Sequence, residues 1–343
     1  MPACPGTSFG EIQMTKEEVL SILTRENDFI SGEKISSSLG VSRAAVNAAV
    51  KSLRADGYVI TSVTNRGYKL ESSPDRMSST ELSAAIGPDR FKNVIFYESC
   101  DSTNTRLKAL SSEGAPSGTV AIADEQTGGK GRRGRSFKSP AGCGIYLSYL
   151  LRPEASPEQI SEITAWTAVA ICKAISSVCN INPSIKWVND ILWNGGKLCG
   201  ILTELSVESE SMHIDSCIIG IGINVNESPE DFPEEIRSIA TSLRQACGTT
   251  QNRALLAAAL ISELDQMAAD FPNGRAPYLD FYRKHNVTCG KPIDVYKTIG
   301  GTPRRADAIA IGDNFSLHVR YNDGTEEDLI SGEVTIRGVD TYS

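Results

Sequence analysis

The stretch Gln126-Thr-Gly-Gly-Lys-Gly-Arg-Arg-Gly-Arg-Ser-Phe-Lys-Ser-Pro140 decides how the rest of this chain is read. No acidic residue stands between Gln126 and Pro153, yet the segment carries Lys130, Arg132, Arg133, Arg135, Lys138 and Arg152. Gly128, Gly129, Gly131 and Gly134 are interleaved with these cations. Glycine lets the backbone reach positive φ and come close to a ligand. Arginine adds a planar fork of donors that stays charged, and successive N–H groups in such a turn form an anion-binding nest. The composition describes a loop that closes over phosphate or carboxylate oxygens, although by itself it also fits a solvated basic loop or a nucleic-acid arm. Residues 144–151, Gly-Ile-Tyr-Leu-Ser-Tyr-Leu-Leu, then read as a buried strand. A loop rooted on a core strand is a favoured place for an active site.

Upstream of the loop, residues 120–125 and 94–98 read as strands, and residues 101–106 begin a helix with Ser102 or Thr103 as cap. Downstream, residues 157–178 carry a long apolar stripe at helical spacing, in which Trp166 belongs to the core. A strand ending at Trp187, a polar Asn189-Asp190 pair, a strand to Trp193, a turn at 194–196 and a third strand over 197–205 make a meander. Residues 214–225 form another core strand, thinned by Gly220 and Gly222, as where backbone lies against a ligand or a neighbouring strand. After a helix over 253–271, short strands at 292–296, 306–312, 316–321 and 333–337 fit a small SH3-like barrel. Strands with hairpin turns, flanked by helices, predict an α+β fold around a mixed sheet.

The N-terminal part has a different texture. A first helix spans 16–25, a short helix runs to Leu39, Gly40 makes a turn, and Ser42 caps a second helix that ends at Asp56. Val46, Ala49, Val50 and Leu53 share one face of that helix, and residues 58–70 read as a hairpin around 65–67. This is a helix-turn-helix with a wing. Residues 34–70 hold six Lys or Arg and a single acid, Asp56, the signature of phosphate-backbone contact. Ser42, Arg43 and Asn47 are the DNA-contact candidates on the recognition helix, and Arg66 a wing residue near the minor groove. A winged helix used only for protein contacts is the competing reading. The expected domains are 12–72, 80–285 and 288–340, with a Ser- and Pro-containing linker at 72–79.

Bulk composition narrows the class. Hydrophobic residues at 40% and charged residues at 22% suit an ordinary globular protein. No apolar run approaches a membrane span, and no signal-peptide pattern opens the chain. Nine cysteines without CxxC spacing predict neither a zinc site nor a disulfide framework, so a reducing cytoplasm is expected and no metal-ligand set is assigned. A net charge of −8 argues against indiscriminate nucleic-acid binding.

Ser102-Thr-Asn104, the glycine-arginine stretch 126–135, and Lys186-Trp-Val-Asn-Asp190 followed by Lys197-Leu-Cys-Gly-Ile201 together closely resemble the biotin protein ligases. With the winged helix in front, the chain is similar to the bifunctional bacterial form, a biotin–[acetyl-CoA-carboxylase] ligase and biotin operon repressor. The family often has arginine at the position of Lys130 and usually proline at that of Val188.

The resemblance implies a two-step reaction. The biotin carboxylate attacks the α-phosphate of ATP, giving biotinyl-5′-AMP and pyrophosphate, and a lysine of a carboxyl-carrier domain then attacks the mixed anhydride. It implies Ser102, Thr103, Asn104 and Gln126 at the ureido ring, and Lys130, Gly131, Arg132 and Lys197 around biotin and its carboxylate. Arg132, Arg133, Arg135 and Asn224 would meet the nucleotide. Asp190, partnered by Lys186, would orient or activate the incoming lysine, with a buried Asp-Lys pair of purely structural purpose as the competing reading, and Mg²⁺ would accompany ATP. The implied partners are the carrier domain, operator DNA and a second copy of the chain when the adenylate is bound. A lipoate-protein ligase and a ligand-sensing repressor without catalysis are the alternatives.

Overall fold

The computed structural model describes residues 9–26, 28–207, 214–297, 301–330 and 335–338. Contacts divide the chain into two units, one reaching Lys92 and including Asn252–Ala258, the other holding Asn93–Gln251 and the residues from Ala259 on.

The first unit contains α1 (Phe9–Arg25), α2 (Gly32–Leu39), α3 (Arg43–Ala55), the hairpin β1 (Val59–Val63) and β2 (Gly67–Ser72), α4 (Ser79–Ile86) and α5 (Pro88–Phe91). Each helix of the helix-turn-helix starts at a serine. Ser31 Oγ accepts from Lys34 N and Ser42 Oγ from Ala45 N, both at 3.1 Å, and each such cap is worth about 1 kcal/mol over alanine. The stripe Val46, Ala49, Val50 and Leu53 is buried against Val19, Leu20 and Leu23 of α1 and Ile35 of α2. Ala84 of α4 enters the same core, and Thr80 Oγ1 donates to Glu17 Oε1 at 2.8 Å. The boundary expected at residue 80 therefore differs from the structure. The helix after the linker buries its apolar face against the winged helix, so 80–92 belong to the first unit.

The second unit is built on a seven-stranded sheet. Its elements are β3 (Val94–Cys100), α6 (Thr103–Ser112), β4 (Val120–Gln126), β5 (Ile145–Leu151), α7 (Pro157–Ser161), α8 (Ile163–Cys179), β6 (Ser184–Lys186), β7 (Asp190–Trp193), β8 (Gly196–Val207), β9 (Ile214–Ile223), α9 (Glu234–Arg237), α10 (Leu243–Cys247), the part of α11 (Arg253–Asp270) from Ala259 on, and α12 (Arg275–His285). The strand order is β3-β4-β5-β9-β8-β7-β6; only β3 and β4 are parallel, so the sheet is mixed as expected. Every residue of β5 is buried, in keeping with its unbroken apolar reading.

The single helix expected over 157–178 is two helices, broken at Glu162. That carboxylate is buried, where it pairs with Arg275 at 2.9 Å and faces the Trp166 indole N–H. Burial raises its pKa, and Arg275 opposes the shift. Trp166 is core, stacked on Tyr278 with ring centroids 4.2 Å apart. Cys172, Cys199 and Cys217 are buried, and burial pushes their thiols far up, Cys217 to about 12.

From residue 292 the chain forms β10 (Pro292–Tyr296), β11 (Arg304–Ile311), β12 (Leu317–Tyr321), β13 (Glu326–Leu329) and β14 (Thr335–Gly338), an antiparallel sheet in the order β13-β12-β11-β10-β14. This is the small β domain expected there; residues 333 and 334 of the expected last strand lie outside the described residues. No helix of the described residues is long and apolar enough to cross a membrane.

Candidate active site

One cleft of the second unit gathers the N-terminus of α6, the glycine-arginine loop and the faces of β8 and β9. Ser102, Thr103 and Asn104 are buried at its closed end. Gln126 Oε1 accepts from Thr103 N at 2.8 Å and from Thr103 Oγ1 at 3.1 Å, while its Nε2 donates to Ser139 Oγ at 2.9 Å. Glutamine from β4 thereby caps α6. Ser102 holds the N-cap position in extended conformation without a capping bond, and it lines the cleft. Asn104 Nδ2 donates to Glu204 Oε2 at 2.7 Å, and Ser148 Oγ lies 2.5 Å from Asn104 Oδ1 and 2.8 Å from Thr103 Oγ1. The closed end thus presents neutral donors and acceptors held in place by one another.

The walls between this end and the cations are apolar. Ile201, Leu202, Ile221 and Phe137 line them, and two glycines of β9 make the room. A Cβ on Gly220 would stand 2.3 Å from Asn104 Oδ1, and one on Gly222 would stand 2.6 Å from the Phe137 ring. These glycines serve close approach. Gly220→Ala should leave the fold intact but drive Asn104 from Ser148 and Glu204. The expected result is a loss of roughly 2 kcal/mol or more in affinity for biotin, the ligand that the sequence resemblance implies, the scale of disrupting a buried polar network. Isothermal titration of biotin beside a thermal melt checks it; unchanged affinity would show that Asn104 has slack.

The cationic end is carried by the loop and by the turn before β7. Gly131 N donates to Arg135 O at 2.7 Å and Phe137 N to Gly129 O at 2.9 Å, folding the loop back on itself around a 3₁₀ turn at Arg132–Gly134. Arg132 Nη1 donates to Asn189 Oδ1 at 2.9 Å, and Asn189 Nδ2 in turn donates to Ile201 O at 3.2 Å. Next to it Lys197 Nζ pairs with Asp190 Oδ1 at 2.6 Å; both side chains are largely covered. Burial lowers the pKa of the Arg132 guanidinium, and the attraction of Asp190 opposes that. Lys130 lines the same cleft, its Nζ 2.9 Å from Thr105 Oγ1. The arrangement suits a ligand with a neutral polar head, an apolar body and an anionic tail.

Not every expected residue is brought here. Arg133, at φ 56°, and Arg135 stand outside the cleft lining. Asn224 is buried and donates from Nδ2 to the carbonyls of Lys197 and Thr241 at 3.2 and 3.1 Å, holding the strand that carries Lys197. Lys186 is buried and is the β6–β7 register partner of Asp190, whose carboxylate also meets Lys197. Sequence reading passed over Phe137, Ser148, Asn189 and Glu204 as site residues. Ser148 did leave a signal, the one small polar residue in a strand of aliphatic and aromatic side chains.

On the first unit, Ser42 caps α3, and Arg43 and Asn47 are exposed on it. Arg43 pairs with Glu33. Arg66, at the hairpin turn, reaches Asp28 Oδ1 at 3.3 Å and lies over the Phe29 ring at 4.3 Å. Both arginines therefore have local partners that a phosphate would have to displace.

Comparison with known proteins agrees with both units. Residues 96–224 match the model of the Biotin/lipoate A/B protein ligase family, and residues 15–69 match that of an HTH domain. The bifunctional ligase/repressor BirA of Bacillus subtilis is 36% identical over 303 residues, covering 88% of this chain and 92% of the relative. The BirA protein of Escherichia coli is 29% identical over 325 residues, covering 94% and 97%. The structure of biotin protein ligase from Aquifex aeolicus in complex with biotin and ATP superposes with a TM-score of 0.62 at 27% identity, over 72% of this chain and 100% of the other. With a winged helix ahead of the ligase sheet and a relative above 30% identity matched over nearly its whole length, the chain belongs to the bifunctional ligase/repressor family of biotin protein ligases.

Proposed function

We propose that this protein makes biotinyl-5′-AMP from biotin and ATP, transfers the biotinyl group to a lysine of a carboxyl-carrier domain, and represses biotin genes with the adenylate as corepressor. The observation that carries this reading is the polarity of one cleft, with Thr103, Asn104, Gln126 and Ser148 at one end and Arg132 and Lys197 at the other. A ureido ring needs neutral partners, an apolar bicycle and valeryl chain need Phe137, Ile201 and Ile221, and a carboxylate beside a phosphate needs fixed cations.

In the first step Lys197 and Arg132 offset the repulsion between carboxylate and α-phosphate. Pyrophosphate leaves as the carboxylate oxygen bonds to phosphorus. Among the described residues no three His, Cys, Asp or Glu side chains gather as a metal site; Mg²⁺ would accompany ATP and would neutralise part of the triphosphate charge. In the second step the ε-amine of the carrier lysine attacks the anhydride carbonyl, AMP leaves, and Asp190 orients the amine or takes its proton. The glycine-arginine loop shields the anhydride from water. Its disorder before binding and order afterwards remain part of this proposal.

Repression follows by linkage. β8 runs past its pairing with β7, and residues 202–207 have β9 on one side and no strand on the other among the described residues. Such an edge suits isologous pairing of two copies, which would set two recognition helices on two half-sites. The nucleotide residues Arg133, Arg135 and Asn224, the DNA residues Ser42, Arg43, Asn47 and Arg66, and a cytoplasmic location belong to the same proposal.

The deciding experiment is transfer of labelled biotin to a purified carboxyl-carrier domain with and without ATP and Mg²⁺. ATP-dependent labelling is the expected result. Biotin binding without labelling would favour the sensor-repressor reading, and labelling by lipoate instead would replace the substrate. Sedimentation with biotinyl-5′-AMP tests the second half; unchanged dimer and operator affinity would remove the linkage.

A further inference from the structure

We infer that Trp187 is a positioning residue for the ligase reaction, and that the small β domain from residue 292 on, with the strap leading into it, is the fixed wall against which the Asn189-Asp190 turn is set. Residue 187 is held at two points by parts of the chain far from it in sequence. Its backbone N donates to Thr288 Oγ1 at 2.8 Å, and its indole Nε1 donates to Phe315 O at 2.9 Å. The indole is buried, as are Thr288 and Phe315.

Both anchors are themselves fixed. Val287 N donates to Ile185 O at 3.0 Å, so the strap lies along β6, and Asn286 Oδ1 accepts from Thr288 N and Cys289 N at 2.9 and 3.1 Å. Phe315 sits in the tight turn between β11 and β12, at φ 59°, with Gly312 N donating to Ser316 O at 2.9 Å across the turn. Its ring packs edge-on against Tyr282 of α12, centroids 5.4 Å apart. The carbonyl that accepts from the indole N–H is therefore aimed by a hydrogen-bonded turn.

What hangs on residue 187 is the cationic end of the cleft. Two residues later Asn189 accepts from Arg132, and three residues later Asp190 pairs with Lys197. β6 is only three residues long and is the edge strand, so the hairpin that the Lys186–Asp190 pairing closes has the rest of the sheet on one side only, through β7 and β8. The neutral end of the cleft draws its hydrogen bonds from α6, β4, β5 and Glu204 of β8 and not from the side chains of the turn. Loosening residue 187 should thus slow chemistry while leaving recognition of the ureido ring in place.

The inference rests on the proposed ligase activity, and its test carries a control for that. Steady-state carrier biotinylation is measured for the full-length wild type, Thr288→Val, Thr288→Ser and Trp187→Phe, each with a thermal melt. Thr288→Val removes the acceptor at constant shape, Thr288→Ser keeps it, and Trp187→Phe removes the indole donor. Thr288→Val and Trp187→Phe should each lower kcat by roughly 10- to 100-fold, with KM for biotin within about threefold, because small misplacement near reacting groups costs rate before affinity. Thr288→Ser should stay within about threefold of wild type in both. Folded Thr288→Val and Trp187→Phe proteins with wild-type kcat would overturn the inference, as would Thr288→Ser falling as far as Thr288→Val. A wild type that labels no carrier would instead refute the ligase reading and this inference with it.

Discussion

Lys197→Ala should abolish adenylate formation, by about a thousandfold in kcat/KM for biotin-dependent exchange of pyrophosphate into ATP. A carboxylate approaching a phosphate at about 4 Å meets a repulsion near 4 kcal/mol per charge pair at an effective dielectric of 20. Restoring that repulsion costs about three powers of ten in rate. Lys197 is placed for this task on the pleat of β8, its Nζ and Cε both 3.2 Å from where a Cβ on Gly200 would stand. Because the lysine lies flat over a residue without a side chain, Lys197→Arg should recover only part of the activity despite keeping the charge. The ureido contacts are elsewhere, so biotin should still bind the alanine variant, more weakly by the share its carboxylate contributes. An exchange rate within about tenfold of wild type would show that Arg132 alone offsets the repulsion and that Lys197 serves Asp190.

How much of this was legible in advance depends on the range of the forces involved. Caps, turns and strand texture are local, and they placed Ser42 at the head of α3, the hairpin after it, and β4 running into the basic loop. The neutral pocket was legible in part, since Ser102, Thr103, Asn104 and Gln126 do come together. Asn189, which holds Arg132, and Glu204, which holds Asn104, act through contacts 57 and 100 residues long that no local pattern displays. β13 was hidden for another reason. Glu326, Glu327 and Asp328 are poor strand formers, and they pair there because Arg320, Lys297 and His318 of the same sheet or its edge face them. The break between α7 and α8 escaped because the apolar stripe runs through it unbroken, while Glu162 at the break pairs with Arg275 across 113 residues.

Asp190→Asn separates the two half-reactions. The amide still fits the turn and still accepts from Lys197, so adenylate formation should stay within about tenfold of wild type, whereas single-turnover transfer to the carrier lysine should fall by roughly 10² to 10⁴, the usual reach of a positioned base. Only the free amine attacks the anhydride, and an unassisted lysine has an ordinary pKa near 10.4. The variant's transfer rate should therefore climb about tenfold per pH unit from neutrality toward that value, because each unit exposes ten times more free amine. The wild type should show a shallower rise, since its carboxylate accepts the proton at the site. Pre-formed biotinyl-5′-AMP, carrier domain and a pH series from neutral upward suffice for the comparison. Equal slopes would leave Asp190 as the charge partner of Lys197 and no more. A collapse of adenylate formation equal to that of transfer would place its whole effect on holding the Lys197 ammonium, 2.6 Å away.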